Sequence, residues 1–156
     1  YLSIMFSINK YIVILLGSII LSSCNSNDFD YSEYRTINQQ EFKYSDTLKY
    51  EFAPLADSTY KLYLSVRYSD LYEFSNLWLR IHQGDKIVRV EVPLFDKAGK
   101  PLGQCTGGIC TKTILWKLQN FNNQDTVKWN VVQNMRKDPL ESISEVGLLI
   151  KIANSQ

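Results

Sequence analysis

From Thr47 to Ile152 the side chains alternate between apolar and polar with a period of two, in short runs rich in aromatic and β-branched residues. A period of two puts successive side chains on opposite faces, so it describes half-buried β-strands and excludes amphipathic helices. Leu48, Tyr50 and Phe52 alternate with Lys49 and Glu51, and Leu62, Leu64, Val66 and Tyr68 alternate with Lys61, Tyr63, Ser65 and Arg67. Leu77, Leu79 and Ile81 alternate with Trp78, Arg80 and His82; beyond the turn signal Gly84-Asp85, the set Val88, Val90, Val92, Leu94 completes a hairpin. Thr113 to Leu118, Val127 to Val132 and Val146 to Ile152 repeat the pattern.

Seven short antiparallel strands and no helical period can bury their apolar faces only against each other, in two packed sheets or a barrel. The expectation is an all-β protein: an antiparallel β-sandwich of the jelly-roll kind with seven to eight strands, spanning residues 46–156. The longest stretch without a strand signal, Gly99 to Gly108, reads as a loop from its glycines and Pro101. The length suits a single domain.

Ahead of the strands, Lys10 is followed by the apolar run Tyr11 to Leu21 and then by Ser22-Ser23-Cys24. A run this short falls well below the roughly 20 residues that cross a bilayer as a helix. A basic flank, a short apolar core and small residues before a cleavage point are the parts of a signal peptide. With cysteine at the cut, the reading is a lipoprotein signal over 1–23 and an acylated Cys24, with 24–45 as a tether that docks on the domain after Asp30 through Tyr31, Tyr34, Phe42 and Tyr44. Lys10 is the sole charge in the removed segment, so the mature chain goes from a formal charge of +1 to neutral. Such a balance is unlike the basic footprint of nucleic-acid binders, and membrane attachment is left to the acyl chains.

Cys105 and Cys110 are candidates for a disulfide in an exported protein, closed by a turn through Thr106-Gly107-Gly108. Zinc would lack two of its four ligands there, so no metal or cofactor is expected. His82 is the only histidine and sits on an outward face beside Arg80; no nucleophile-elbow sequence accompanies it. No catalytic residue is assigned.

Three ordered blocks carry a family resemblance. Phe74-Ser75-Asn76-Leu77-Trp78-Leu79 is the first; Pro93-Leu94, Asp96, Gly99, Leu102, Gly103, Gly107 and Gly108 form the second; Gln133, Met135, Arg136, Asp138, Pro139, Leu140, Ile143, Val146, Gly147, Leu148 and Ile150 form the third. Behind a lipoprotein signal, this order resembles the GldH gliding-motility lipoproteins over nearly the whole mature chain. Cys105 and Cys110 depart from the family pattern, and Ser142 stands where that pattern has a glycine. The resemblance implies a Bacteroidota envelope lipoprotein, non-enzymatic, needed for gliding and linked to the type IX secretion machinery through protein partners. In the third block, Asp138-Pro139 reads as a turn starter, Arg136 as a partner for Asp138 or a nearby acid, and Gly147 as a bulge or close backbone approach.

Tyr63, Trp78, Arg136 and Asp138 are the candidate partner or ligand surface. The alternative is a carbohydrate- or peptidoglycan-binding module, which would require Tyr63, Trp78 and either Trp116 or Trp129 to form one exposed platform. An enzyme would instead need acids converging near His82. Asn25 after Cys24, in place of the aspartate that marks inner-membrane retention in other lipoproteins, points to the outer membrane.

Overall fold

The computed structural model describes residues 29–123 and 125–153; the signal segment and Cys24 lie outside the described residues. The strands are β1 (Tyr31–Thr36), β2 (Glu41–Phe42), β3 (Leu48–Phe52), β4 (Ser58–Ser69), β5 (Asn76–Gln83), β6 (Lys86–Pro93), β7 (Gln104–Thr106), β8 (Ile109–Phe121), β9 (Val127–Gln133), β10 (Leu140–Glu141) and β11 (Ile143–Ile152). Among the described residues no helix is long and apolar enough to cross a membrane.

Two sheets form, in the orders β1-β11-β4-β8-β7 and β3-β9-β5-β6, with a small β10-β2 pair beside them. The pairings β1 with β11, β3 with β9, β4 with β8 and β5 with β6 are all antiparallel. They nest inside one another, so the chain is one long double ribbon whose tip is the Gly84-Asp85 turn. Folding that ribbon over on itself creates the lateral pairs β11 with β4 and β9 with β5. This is the strand order of a jelly roll, built on eight principal strands.

The seven strands expected from alternation are β3, β4, β5, β6, β8, β9 and β11, and the eighth is β1. That strand precedes Thr47, where the period-two signal begins, and its core-side positions hold Glu33 and Arg35. The two form an ion pair, and Arg35 also donates from Nε to the Lys49 carbonyl at 2.8 Å and lies 5.7 Å above the Tyr50 ring. A charged inward face hides an edge strand from a hydrophobic pattern, and inward charge is a common guard on edges. Similarly, Gly99 to Gly108, read as loop, contains the short strand β7.

The core fills the space between the sheets with Leu62, Leu64, Val66, Leu77, Leu79, Ile81, Leu148 and Ile150, all buried. Two tyrosines stitch one sheet to the other. The Tyr50 hydroxyl of β3 donates to the Val146 carbonyl of β11, and the Tyr68 hydroxyl of β4 donates to the Leu94 carbonyl beyond β6, both at 2.7 Å. Each contributes about 1 kcal/mol net, and each would leave a buried polar group unpaired if truncated. The second family block shapes the loop after β6: Asp96 accepts backbone N–H bonds from Ala98 and Lys100 at 2.9 Å, while Leu102 donates to Leu94 at 2.8 Å. Its cysteines lie directly opposite each other on β7 and β8, and Cys105 is joined to Cys110 by a disulfide.

Candidate functional site

The connection from β9 to β10 is built around Gln133, whose buried side chain replaces the hydrogen bonds that the chain forfeits on leaving the sheet. Its amide donates to the carbonyls of Lys137 at 3.0 Å and Phe42 at 3.4 Å, and its oxygen accepts from the Met135 N–H at 2.9 Å. Asp138 accepts from the Tyr44 N–H at 2.8 Å, and the Tyr44 hydroxyl donates to the Met135 carbonyl at 2.8 Å. The Asp138-Pro139 peptide bond is cis. The hydrogen bonds of this loop tie Gln133, Met135 and Asp138 of the third family block to Phe42, Tyr44 and Lys137, as a fold-specifying element does.

That loop closes one side of a cleft of about 290 Å3 lined by Phe74, Trp78, Arg89, Asn134, Met135 and Arg136. Trp78 projects from the outer face of the four-stranded sheet, with the Arg89 guanidinium 4.9 Å above its ring. Asn134 locks this stack: with its amide oxygen toward Arg89 it accepts from Nε at 2.9 Å, and its backbone N–H donates to the Trp78 carbonyl at 2.8 Å. Met135 brings its sulfur to 3.2 Å from the Trp78 N–H.

Arg136, expected to pair with Asp138 or a nearby acid, makes no ion pair among the described residues. Asp138 is occupied by Tyr44, and the acids nearby are engaged as well: Glu73 with Lys137 at 2.7 Å and Glu91 with Asn76. Arg136 thus brings an exposed cation to a rim already holding an indole, a phenyl ring and a thioether. Planar guanidinium groups bind carboxylates through paired hydrogen bonds. Aromatic, Met and Arg side chains are also the types enriched at protein interfaces. The composition suits recognition of an acidic segment of another protein.

The structure brings Trp78 and Arg136 together and turns Asp138 to a supporting contact. It does not bring Tyr63 to them: Tyr63 lies on the outer face of the opposite sheet, against Phe29 at 5.3 Å. Trp129 is a core residue and Trp116 packs against the core, so the single platform required for sugar binding does not form. The Trp78 ring face is also covered by Arg89. His82 lies on the outer face of β5, with Asn130 and Ile87 as its cross-strand partners. Among the described residues no group of three His, Cys, Asp or Glu is placed to hold a metal ion.

A larger depression of about 610 Å3 lies beside the end of β4 and the start of β11, lined by residues including Ile37, Arg67, Ile109 and Glu145. Its charged groups neutralise each other through the Arg67 to Glu145 ion pair at 2.7 Å. Arg89 and Asn134 were not among the residues singled out from sequence, and Phe74 was named only within the first family block. The two-residue turn at Gly84-Asp85 fixes Trp78 opposite Glu91 and Arg80 opposite Arg89, which places Arg89 diagonal to the indole.

The model of the GldH lipoprotein family matches residues 30–150. No curated protein matches the sequence. Among solved structures, a 4-O-methyl-alpha-glucuronidase with specificity for decorated arabinogalactans aligns at 9% identity and a TM-score of 0.44, over 84% of this chain. The chain spans only 17% of that enzyme's length. The P-domain of Penaeus vannamei nodavirus aligns at 12% identity and a TM-score of 0.35, over 80% of this chain and 98% of the viral domain.

Proposed function

This chain belongs to the GldH lipoprotein family, and from that premise we propose that it serves gliding motility as a non-enzymatic component of the cell envelope. In this reading, an acylated Cys24 holds it to the outer membrane, and it works as a scaffold or accessory part linked to the type IX secretion machinery. The family match carries the proposal, because it runs from the start of β1 almost to the end of β11 and so covers all eight principal strands. Support for a scaffold role comes from the Trp78 cleft, whose cationic, aromatic and thioether side chains recognise partners but do not supply a nucleophile or a proton-transfer group.

Deletion of the chain in its native host tests this directly. The expected result is loss of both colony spreading and secretion of type IX cargo, restored by the wild-type chain and not by Cys24→Ala. Normal spreading and secretion would overturn the proposal. Loss of spreading with intact secretion would overturn its secretion link.

A further inference from the structure

The outer face of the five-stranded sheet carries an apolar patch that the cleft does not use. On this face Leu115 and Leu118 are 50% and 60% exposed, and between them and the sheet edge lie Tyr63 and the Phe29 ring packed on it. The ladder fixes their arrangement. Leu149, Tyr63 and Leu115 form one row across β11, β4 and β8, and Lys151, Lys61 and Leu118 form the next. Leu115 and Leu118 are three residues apart and would face opposite ways in a regular strand. A bulge opposite Leu62 and Tyr63 absorbs Trp116 and returns Leu118 to the face of Leu115. The result is two leucines and two aromatic rings flanked by two lysines.

We propose that this face rests on the surface of the lipid bilayer, with Leu115 and Leu118 inserted among the headgroups and Lys61 and Lys151 against their phosphates. The proposal rests on the reading that Cys24 carries the lipid. Four residues separate Cys24 from Phe29, and a fully extended chain covers at most about 3.6 Å per residue, so the anchor lies within about 18 Å of a ring already docked on this face. Packed sheets are about 10 Å apart before their outer side chains are added, so presenting the opposite face would require so short a tether to wrap around the sandwich. Aromatic rings with flanking lysines and a few apolar side chains are the combination found where proteins meet the headgroup region. The Trp78 cleft, on the other sheet, then points away from the membrane.

The test uses the full lipoprotein reconstituted into vesicles of phosphatidylethanolamine and phosphatidylglycerol. Leu115→Cys and Leu118→Cys, each labelled with an environment-sensitive fluorophore, are compared with Glu51→Cys on the outer face of the other sheet. Disulfide and thioether bonding at the native cysteines leaves the introduced thiol free to react. The expected result is a blue shift at 115 and 118, with most of the fluorescence lost to lipids carrying a doxyl quencher near the headgroup, and neither effect at 51. Equal quenching on both faces, or quenching only at 51, would overturn the proposal. A blue shift without lipid quenching would also overturn it, because a protein or a second copy would then cover the patch. Failure of the unlabelled lipoprotein to float with the vesicles would instead overturn the Cys24 anchor reading.

Discussion

One edge of the Tyr34 ring lies against the backbone of Gly147, so closely that a Cβ on residue 147 would sit 2.6 Å from Tyr34 Cε1. The two residues are register partners on β1 and β11. The approach lets the Tyr34 hydroxyl donate to Ser65 Oγ at 3.2 Å across β11, and Thr113 donates to the same oxygen at 3.0 Å. This is the close approach signalled by a glycine inside a strand; the bulge of β11 lies elsewhere, between Ile143 and Glu145. Gly147→Ala is expected to cost about 1 to 2 kcal/mol by overpacking. In a Tyr34→Ala background the sign reverses, because alanine is roughly 0.5 to 1 kcal/mol better than glycine within a strand. Urea unfolding of the two single variants, the double variant and the wild type checks this; additive costs would refute the coupling.

Gln133→Leu removes the amide that satisfies the Lys137 and Phe42 carbonyls and the Met135 N–H. With 2% exposure, the site gives water little access to replace it. The expected loss is about 3 kcal/mol, the cost of buried polar groups left without partners, measured by denaturant titration. A loss below about 1 kcal/mol would mean the loop does not depend on this side chain.

Ser142 has φ 68°, in the left-handed region, where side chains with a Cβ are strained. This supplies a physical reason for the glycine at this position in the family pattern. Ser142→Gly is expected to raise stability by about 1 kcal/mol, read as a higher thermal midpoint, whereas Ser142→Val is expected to lower it.

Arg136→Glu separates recognition from folding. Since the guanidinium is exposed and makes no ion pair among the described residues, stability should change by no more than about 0.5 kcal/mol. Colony spreading should nevertheless be lost if the cleft binds an acidic partner segment. A folded variant with normal spreading would rule out this rim of the cleft as the contact.

Alkaline pH should unfold the protein through its tyrosines. Burial raises the pKa of Tyr50, Tyr68 and Tyr72 above the ordinary 10.0, and burial followed by the hydrogen bond to Glu33 does so for Tyr31. The folded state therefore keeps protons that the unfolded state releases. Their contribution is fully present below pH 10.0 and is lost as pH rises above it. Lys117 opposes this, because burial and then the charge of Lys86 lower its pKa below 10.5, so its penalty is relieved as pH climbs toward that value. Four tyrosines outweigh one lysine. Phenolate absorbance and the sheet circular dichroism signal, followed together, should show a late group of tyrosines ionising only as the sheets melt; complete ionisation before melting would contradict it.

Alternation alone identified seven of the eight principal strands, because one wet face and one dry face per strand leave a direct record in residue type. The ordered motif blocks likewise carried the family resemblance. The record failed for β1, whose core-side positions are the paired charges Glu33 and Arg35, and for β7, which is too short for a period to register. Of the residues singled out for the surface, Trp78 and Arg136 meet at one cleft, while Tyr63 lies on the other sheet.

Residue pattern was enough to show that this chain is an antiparallel β protein and which faces of its strands turn inward. Those features are written in local pattern. Which strands become neighbours, and with that which outward residues meet, is set by long-range pairing in the folded chain. The nested pairing sets Arg89 over Trp78, and Gln133 holds Arg136 at the same rim through bonds to Phe42 and Lys137. The bulge at Trp116 aligns Leu115 with Leu118. Each of these depends on register between segments distant in the chain, and a one-residue shift in register would exchange the faces without changing the local pattern.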